Sequence, residues 1–210
     1  MNLLLVRHGL TDWNEEGRLL GRIDIGLNAR GREQVATLAG ILGKLPIRRV
    51  VSSPQQRAQK TAAPIADALG LAVETDPGID EVWLGRWQGK LLGEVRGDPD
   101  LERYLEDPTY ECDEIESIVE VQERIVAVTE RLRAENEGQS VVLVSHADPL
   151  RLIVAHYLSM PIADYRRLSA ENASVSVLRF TAKGPRLIEQ NWLPGDGRLA
   201  EAIKDGDPHQ

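Results

Sequence analysis

Val141-Val142-Leu143-Val144-Ser145-His146-Ala147-Asp148-Pro149 is the stretch whose reading decides the fold. Val141 to Ser145 is almost wholly apolar and shows no alternation, which predicts a strand buried on both faces, the habit of a central parallel strand. Asp148 followed by Pro149 then has the form of a helix N-cap with proline in the first helical position. Leu152, Ile153, Ala155, His156 and Leu158 continue that helix toward Pro161. A strand that passes straight into a helix leaves His146 at the strand's carboxyl end, where open α/β sheets bind their ligands.

The same alternation extends to both sides. Leu3 to Val6 is a short apolar run stopped by Gly9 and predicts the first strand. Asn28 caps a helical stripe of Val35, Leu38, Ala39 and Leu42 that ends at Gly43. Arg49 to Ser52 predicts a second strand, Ser53-Pro54 a cap and helix start, and Ala58, Thr61, Ile65, Ala68 and Leu69 a helix to Gly70. Ala72 to Thr75 predicts a third strand. Residues 82–112 are rich in glycine, proline and tryptophan and read as an irregular cap inserted over the scaffold. A helix over Ile115 to Leu132 and two strands, Ser174 to Phe180 and Arg186 to Trp192, joined by a Lys183-Gly184-Pro185 turn, complete the pattern, with 196–210 as a frayed polar tail. The fold class is therefore α/β: three layers, a mostly parallel central sheet and a small irregular or helical cap, in one domain spanning 1–210.

Composition narrows the function. The 210 residues with 42% hydrophobic content suffice for one substantial core and not for two ordinary domains. No apolar run approaches the twenty or so residues of a membrane span, and the single cysteine, Cys112, forms no internal disulfide. A cytoplasmic protein without a membrane partner is the expectation. The net charge of −8 argues against a nucleic-acid surface. The first sixty residues nevertheless carry +5 and the remainder −13, so the arginines gather beside an early histidine.

Arg7 and His8 can serve one site only where the pleat ends, since neighbours in a strand face opposite ways, and Gly9 permits that break. Arg57 falls in the first turn after Ser53-Pro54, where helix amides favour an anion. With His146 these residues occupy three strand ends that the fold brings to one edge. Two arginines and two histidines there suit a phosphoryl group, whose transfer needs mainly positioning and charge neutralisation.

Leu5-Val6-Arg7-His8-Gly9 with Thr11, Trp13 and Asn14 resembles the signature of the histidine phosphatase superfamily, in the branch that includes cofactor-dependent phosphoglycerate mutases. The resemblance extends through Gly21-Arg22-Ile23-Asp24, Ser52-Ser53-Pro54 with Arg57, Ala58 and Thr61, Asp80-Glu81 with Gly85 and Gly89, and Val144-Ser145-His146. It implies that His8 is the nucleophile and carries a phosphohistidine, that Arg7, Arg57 and His146 bind the phosphoryl oxygens, and that Glu81 is the general acid and base. Thr11, Asn14, Gly21, Arg22 and the backbone N–H of Ala147 would complete the substrate site. Burial of Glu81 beneath Trp83 and Trp87 would raise its pKa.

Two departures shape the function expected. Ala147 stands where the family usually has glycine, followed by Asp148 as a cap. Residues 88–112 hold Lys90, Arg96 and Arg103 against Glu94, Asp98, Asp100, Glu102, Glu106, Asp107 and Glu111, a poor lining for a doubly anionic intermediate. These favour a metal-independent phosphomonoesterase, with no cofactor, acting on a small phosphorylated metabolite. The alternatives are a phosphoglycerate mutase, a non-catalytic phosphate-binding module, and a metal hydrolase built on His8, His146 and a packed His156. The resemblance also leaves a homodimer open.

Overall fold

Leu3, Leu4, Leu5 and Val6 lie fully buried inside β1 (Asn2–Arg7) in the computed structural model, which describes residues 1–112, 114–194 and Leu199. The expected tail at 196–210 lies outside the described residues, apart from Leu199, which is buried in the core. Leu4 and Val6 face one hydrophobic cluster while Leu3 and Leu5 face another, as the period of two requires. Val142 and Val144 of β4 (Ser140–Ser145) join the first cluster, and Val141 and Leu143 the second. Each such side chain withdrawn from water contributes about 1.5–3 kcal/mol, which is why a continuous apolar run settles at the centre of a sheet.

The first cluster is closed by α2 (Ala29–Leu42) and α3 (Gln56–Leu69), through Leu38, Leu42, Ala58, Ala62 and Ile65. The second is closed by α6 (Ile118–Glu135) and α7 (Ala147–Tyr157), through Ile125, Leu132, Leu150 and Ile153. Between these layers runs a six-stranded sheet. With β2 (Ile47–Ser52), β3 (Val73–Thr75), β5 (Val175–Thr181) and β6 (Gly184–Trp192), its order is β3-β2-β4-β1-β5-β6. Strands β1 to β4 pair in parallel, whereas β5 and β6 add antiparallel. The register sets Val6 beside Val144 and Val144 beside Ser52, so the carboxyl ends of β1, β4 and β2 finish level along one edge.

A short α1 (Asp12–Glu16) follows that edge, and two small helices, α4 (Leu92–Val95) and α5 (Pro99–Glu106), form the cap. The cap has a core of its own: Val82, Trp87, Val95, Leu101 and Tyr104 pack with Ile118 and Val121 of α6, Leu152 and Ala155 of α7, and Tyr165.

Several local expectations are corrected. Helix α3 starts at Gln56 behind Gln55, not at Pro54 behind Ser53, because the Ser53 hydroxyl is engaged elsewhere. Helix α7 starts at Ala147 with His146 in the capping position, so Asp148 lies within the first turn rather than before it. Helix α6 begins after Ser117, whose hydroxyl and Glu120 form a capping box, while Ile115 bridges to Cys112. The last hairpin turns at Ala182 and Lys183, with Gly184 already in β6.

Candidate active site

His8 is the first residue beyond β1, 2% exposed, and its N–H is held by the Ser145 carbonyl. Its Nδ1 lies 2.8 Å from its neighbour's carbonyl, Gly9 O, and donates to it. The proton therefore sits on Nδ1, and Nε2 carries the lone pair. Burial, with the charges of Arg7 and Arg57, pushes the pKa of His8 well below the usual histidine range. Both observations point to a neutral ring with a free lone pair on Nε2. Asn172 fastens this turn, donating to the His8 carbonyl at 3.1 Å and to Asn14 Oδ1 at 3.2 Å.

Arg57, in the first turn of α3, is fully buried. Its Nη2 donates to Gly21 O at 2.7 Å, its Nη1 to Ile23 O at 2.8 Å and its Nε to His146 Nδ1 at 3.2 Å. Two of the five N–H groups of a guanidinium remain for an anion. Arg7 is tied through Nη1 to Ala170 O at 2.6 Å, while its buried Nε has no partner among the described residues. Burial lowers the pKa of Arg7 to about 10 and lowers that of Arg57 as well. The rings of His8 and His146 stand 5.2 Å apart. Thus Arg7, His8, Arg57 and His146, separated in sequence, meet at the level edge of three strands.

Glu81 is half-buried beside them, its Oε1 accepting from its neighbour's N–H, Val82, at 3.0 Å. Burial first, and then the charge of Asp148, raise its carboxyl to about 7, against the opposing pull of Val82 N–H, Arg57 and Arg7. The tryptophans are placed otherwise than expected. Trp83 is 42% exposed, and Trp87 is buried in the cap, donating to Asp98 Oδ2 at 2.9 Å. The loop bearing Glu81 is instead clamped by Arg124 of α6, which donates to the carbonyls of Gly78, Asp80 and Glu81 and pairs with Glu116.

The remaining expected contacts divide. Asn14 uses its Oδ1 for the backbone N–H of Thr11 and the Thr11 hydroxyl, leaving its amide nitrogen without a partner among the described residues. Thr11 is fully buried as the cap of α1, its hydroxyl shared with Asn14. Gly21 serves Arg57 through its carbonyl, and at φ +50° a side chain there would strike Gln88. Arg22 donates to Glu81 O at 2.8 Å and to Glu116 Oε2 at 2.8 Å. Ala147 opens α7, where its N–H is one of the helix's unpaired donors. His156, expected to be packed, is exposed in the last turn of α7 against Tyr157. Among the described residues no group of three or more His, Cys, Asp or Glu is arranged to hold a metal.

Sequence reasoning assigned no role to Asp80, Gln55, Arg124, Glu116 or Asn172. Asp80 carried a signal, since it precedes Glu81 within a quoted motif; for Asn172 there was none.

The sequence profile of the histidine phosphatase superfamily (branch 1) matches residues 3–193. The chain belongs to that superfamily. Among histidine phosphatase relatives, Phosphoserine phosphatase 1 of Hydrogenobacter thermophilus is 32% identical over 91% of this chain and 92% of that protein. Probable phosphoglycerate mutase GpmB of Escherichia coli is 32% identical over 98% of this chain and 93% of its own length. The mycobacterial glucosyl-3-phosphoglycerate phosphatase complexed with VO3 superposes with a TM-score of 0.83 at 31% identity, covering 90% of this chain and 98% of that one. The mixed α/β sheet of this chain is thus the histidine phosphatase fold. Among the described residues no helix is long and apolar enough to cross a membrane.

Proposed function

We propose that this protein is a metal-independent phosphomonoester hydrolase that works through a phosphohistidine at His8 on a small phosphorylated metabolite. The observation that carries the reading is a buried, neutral imidazole whose Nδ1 is fixed to Gly9 O, set between Arg7 and Arg57. Nε2 of His8 attacks phosphorus and the ester P–O bond breaks, with the equatorial oxygens held by Arg7, Arg57, the Asn14 amide and Ala147 N–H. Glu81, protonated part of the time near neutrality, gives its proton to the departing alkoxide. The resulting carboxylate takes a proton from water, the hydroxide displaces the imidazole from phosphorus, and inorganic phosphate leaves.

The phosphatase relatives support hydrolysis. The mutase relative keeps a second reading in view. Against it, two arginines of this region are engaged within the cap: Arg86 pairs with Asp100 at 2.5 Å, and Arg103 lies over the Tyr110 ring at 4.4 Å. Such arginines do not form the free basic lining that would retain a bisphosphorylated acid. A cytoplasmic site of action accords with the single cysteine, and a homodimer stays open, with β3 and β6 as the sheet's edges.

The test is trapping of radioactive phosphate on the protein from a generic aryl phosphate in excess chelator. Wild type should label and turn over, and His8→Ala should do neither; equal turnover in that variant, or inhibition by EDTA, would overturn the reading. Supplying 3-phosphoglycerate with and without a bisphosphorylated primer separates hydrolase from mutase, since only hydrolysis accumulates free phosphate.

A further inference from the structure

Four polar groups behind the phosphoryl pocket form a chain whose polarity is fixed at both ends. Arg57 Nε can only donate, so the His146 Nδ1 at 3.2 Å accepts. A neutral His146 then has its proton on Nε2, 2.8 Å from Ser53 Oγ. Ser53 Oγ in turn lies 2.8 Å from Asp80 Oδ1. That same oxygen accepts from Gln55 Nε2 at 2.6 Å and from its neighbour's N–H, Glu81, at 3.1 Å, so it bears no proton. The direction is therefore Arg57 to His146, His146 to Ser53, and Ser53 to Asp80.

The consequence is chemical. In the resting site both nitrogens of His146 are engaged, and neither has an N–H left for a phosphoryl oxygen. Phosphoryl binding by this residue requires a second proton on Nδ1. Burial opposes one first, and then the groups facing His146: Arg57 from α3, His8 and Arg7 from the end of β1, and Arg124 from α6. Among the described residues the acid paired with His146 is Asp80, 3.7 Å from Nε2 and bridged by Ser53.

We propose that Asp80, acting through Ser53, is a positioning residue that lets His146 bind the phosphoryl group as an imidazolium. The inference rests on the phosphoryl-pocket reading above. A monoanionic phosphomonoester enters, its P–OH proton passes to His146 Nδ1, and Arg57 Nε gives up Nδ1 for a phosphoryl oxygen. The ester becomes a dianion and the ring a cation, so charge and protons balance, and the cation is steadied at Nε2 by the Ser53-Asp80 arm. The same arm accounts for why Ser53 does not cap α3.

Inorganic phosphate is the probe, and nitrogen NMR of isotope-labelled histidine is the readout. In the wild type, saturating phosphate should convert His146 from one bare and one protonated nitrogen to two protonated nitrogens. Asp80→Asn keeps the acceptor oxygen but removes the charge; it should leave His146 neutral with phosphate bound and weaken phosphate binding about tenfold, the loss of one charge-assisted hydrogen bond. Ser53→Ala should behave likewise, and Ser53→Thr should restore the cation. A structural role alone would not move the protonation state. If wild-type His146 stays neutral while phosphate binds, or if Asp80→Asn still charges it, the inference is overturned and the pocket reading stands. If phosphate does not bind at all, both fall.

Discussion

Glu81 is held between opposed influences, burial and Asp148 raising its carboxyl to about 7 and Val82 N–H, Arg57 and Arg7 drawing it down. In its proposed role as leaving-group acid it must be protonated, so kcat for alkyl phosphates should fall as pH rises through about 7. Glu81→Gln should lose roughly 10²–10⁴ in kcat on such esters, and less on aryl phosphates whose leaving groups need no proton. Asp148→Asn removes a raising influence and should move the alkaline limb of the pH–rate profile to lower pH; an unchanged limb would separate Asp148 from Glu81. Stability follows the same linkage. A carboxyl raised above its unfolded value of about 4.3 contributes fully below that pH, and its contribution is lost as pH rises through about 7. Glu81→Gln should therefore be more stable than wild type by about 2 kcal/mol near pH 8, with the gap closing toward pH 5 in urea melts. A variant that gains stability while losing turnover is what a group held against its preferred ionisation predicts.

At the scale of elements, the loop carrying His8 is pressed onto the first turn of α2. A methyl group at Gly31 would come within 2.1 Å of the Leu10 carbonyl oxygen, a backbone atom that no rotamer change can move aside. Gly31→Ala should thus cost about 1–3 kcal/mol in a denaturant melt. It should also lower kcat at temperatures where the variant is still folded, because the displaced loop holds His8, the proposed nucleophile. Asn28, which caps the same turn by accepting from Gly31 N–H at 2.8 Å, was legible in the sequence because cap and donor lie three positions apart. So were β1 and β4, whose apolar runs allow only a buried strand. Ser53 and Asp148 have the same cap-forming chemistry and were misread as caps. Ser53 is claimed by His146 and Asp80, 93 and 27 positions away, and Asp148 by Arg151 within the helix at 3.1 Å. The cap resisted reading for a related reason, since Trp87 and Tyr104 bury against Leu152, Ala155 and Tyr165, which local periodicity does not connect to them. In the site, Arg7, His8, Arg57 and His146 could be singled out by type and place and Glu81 through the family resemblance, whereas the groups beside them, Asp80, Arg124 and Asn172, owe their places to contacts across the fold.

Over the whole molecule, an acidic chain of net charge −8 has gathered cations at one buried point. Arg7 and Arg57 approach there with their pKa values lowered by burial, a sign that the protein environment alone does not compensate their charge. The compensating charge is Glu81 only in part, because Glu81 is itself protonated part of the time near neutrality. Under the proposed function a bound dianion would add to that compensation and join the ends of β1, β2 and β4, which the register sets level. Inorganic phosphate should therefore stabilise the native state by mass action: at a hundredfold excess over Kd the gain is about 2.7 kcal/mol, or roughly 5–10 °C in Tm for a chain of this size. The variant that tests the origin of the gain is Arg57→Gln. It will melt lower than wild type without ligand, since Gly21 and Ile23 lose their donors, so the quantity to compare is the phosphate-dependent increment rather than Tm itself. That increment should all but vanish in Arg57→Gln and persist when an exposed arginine such as Arg30 is replaced in the same way. Equal increments in the two variants would mean that phosphate acts on the protein's general charge and not at the junction of the three strands.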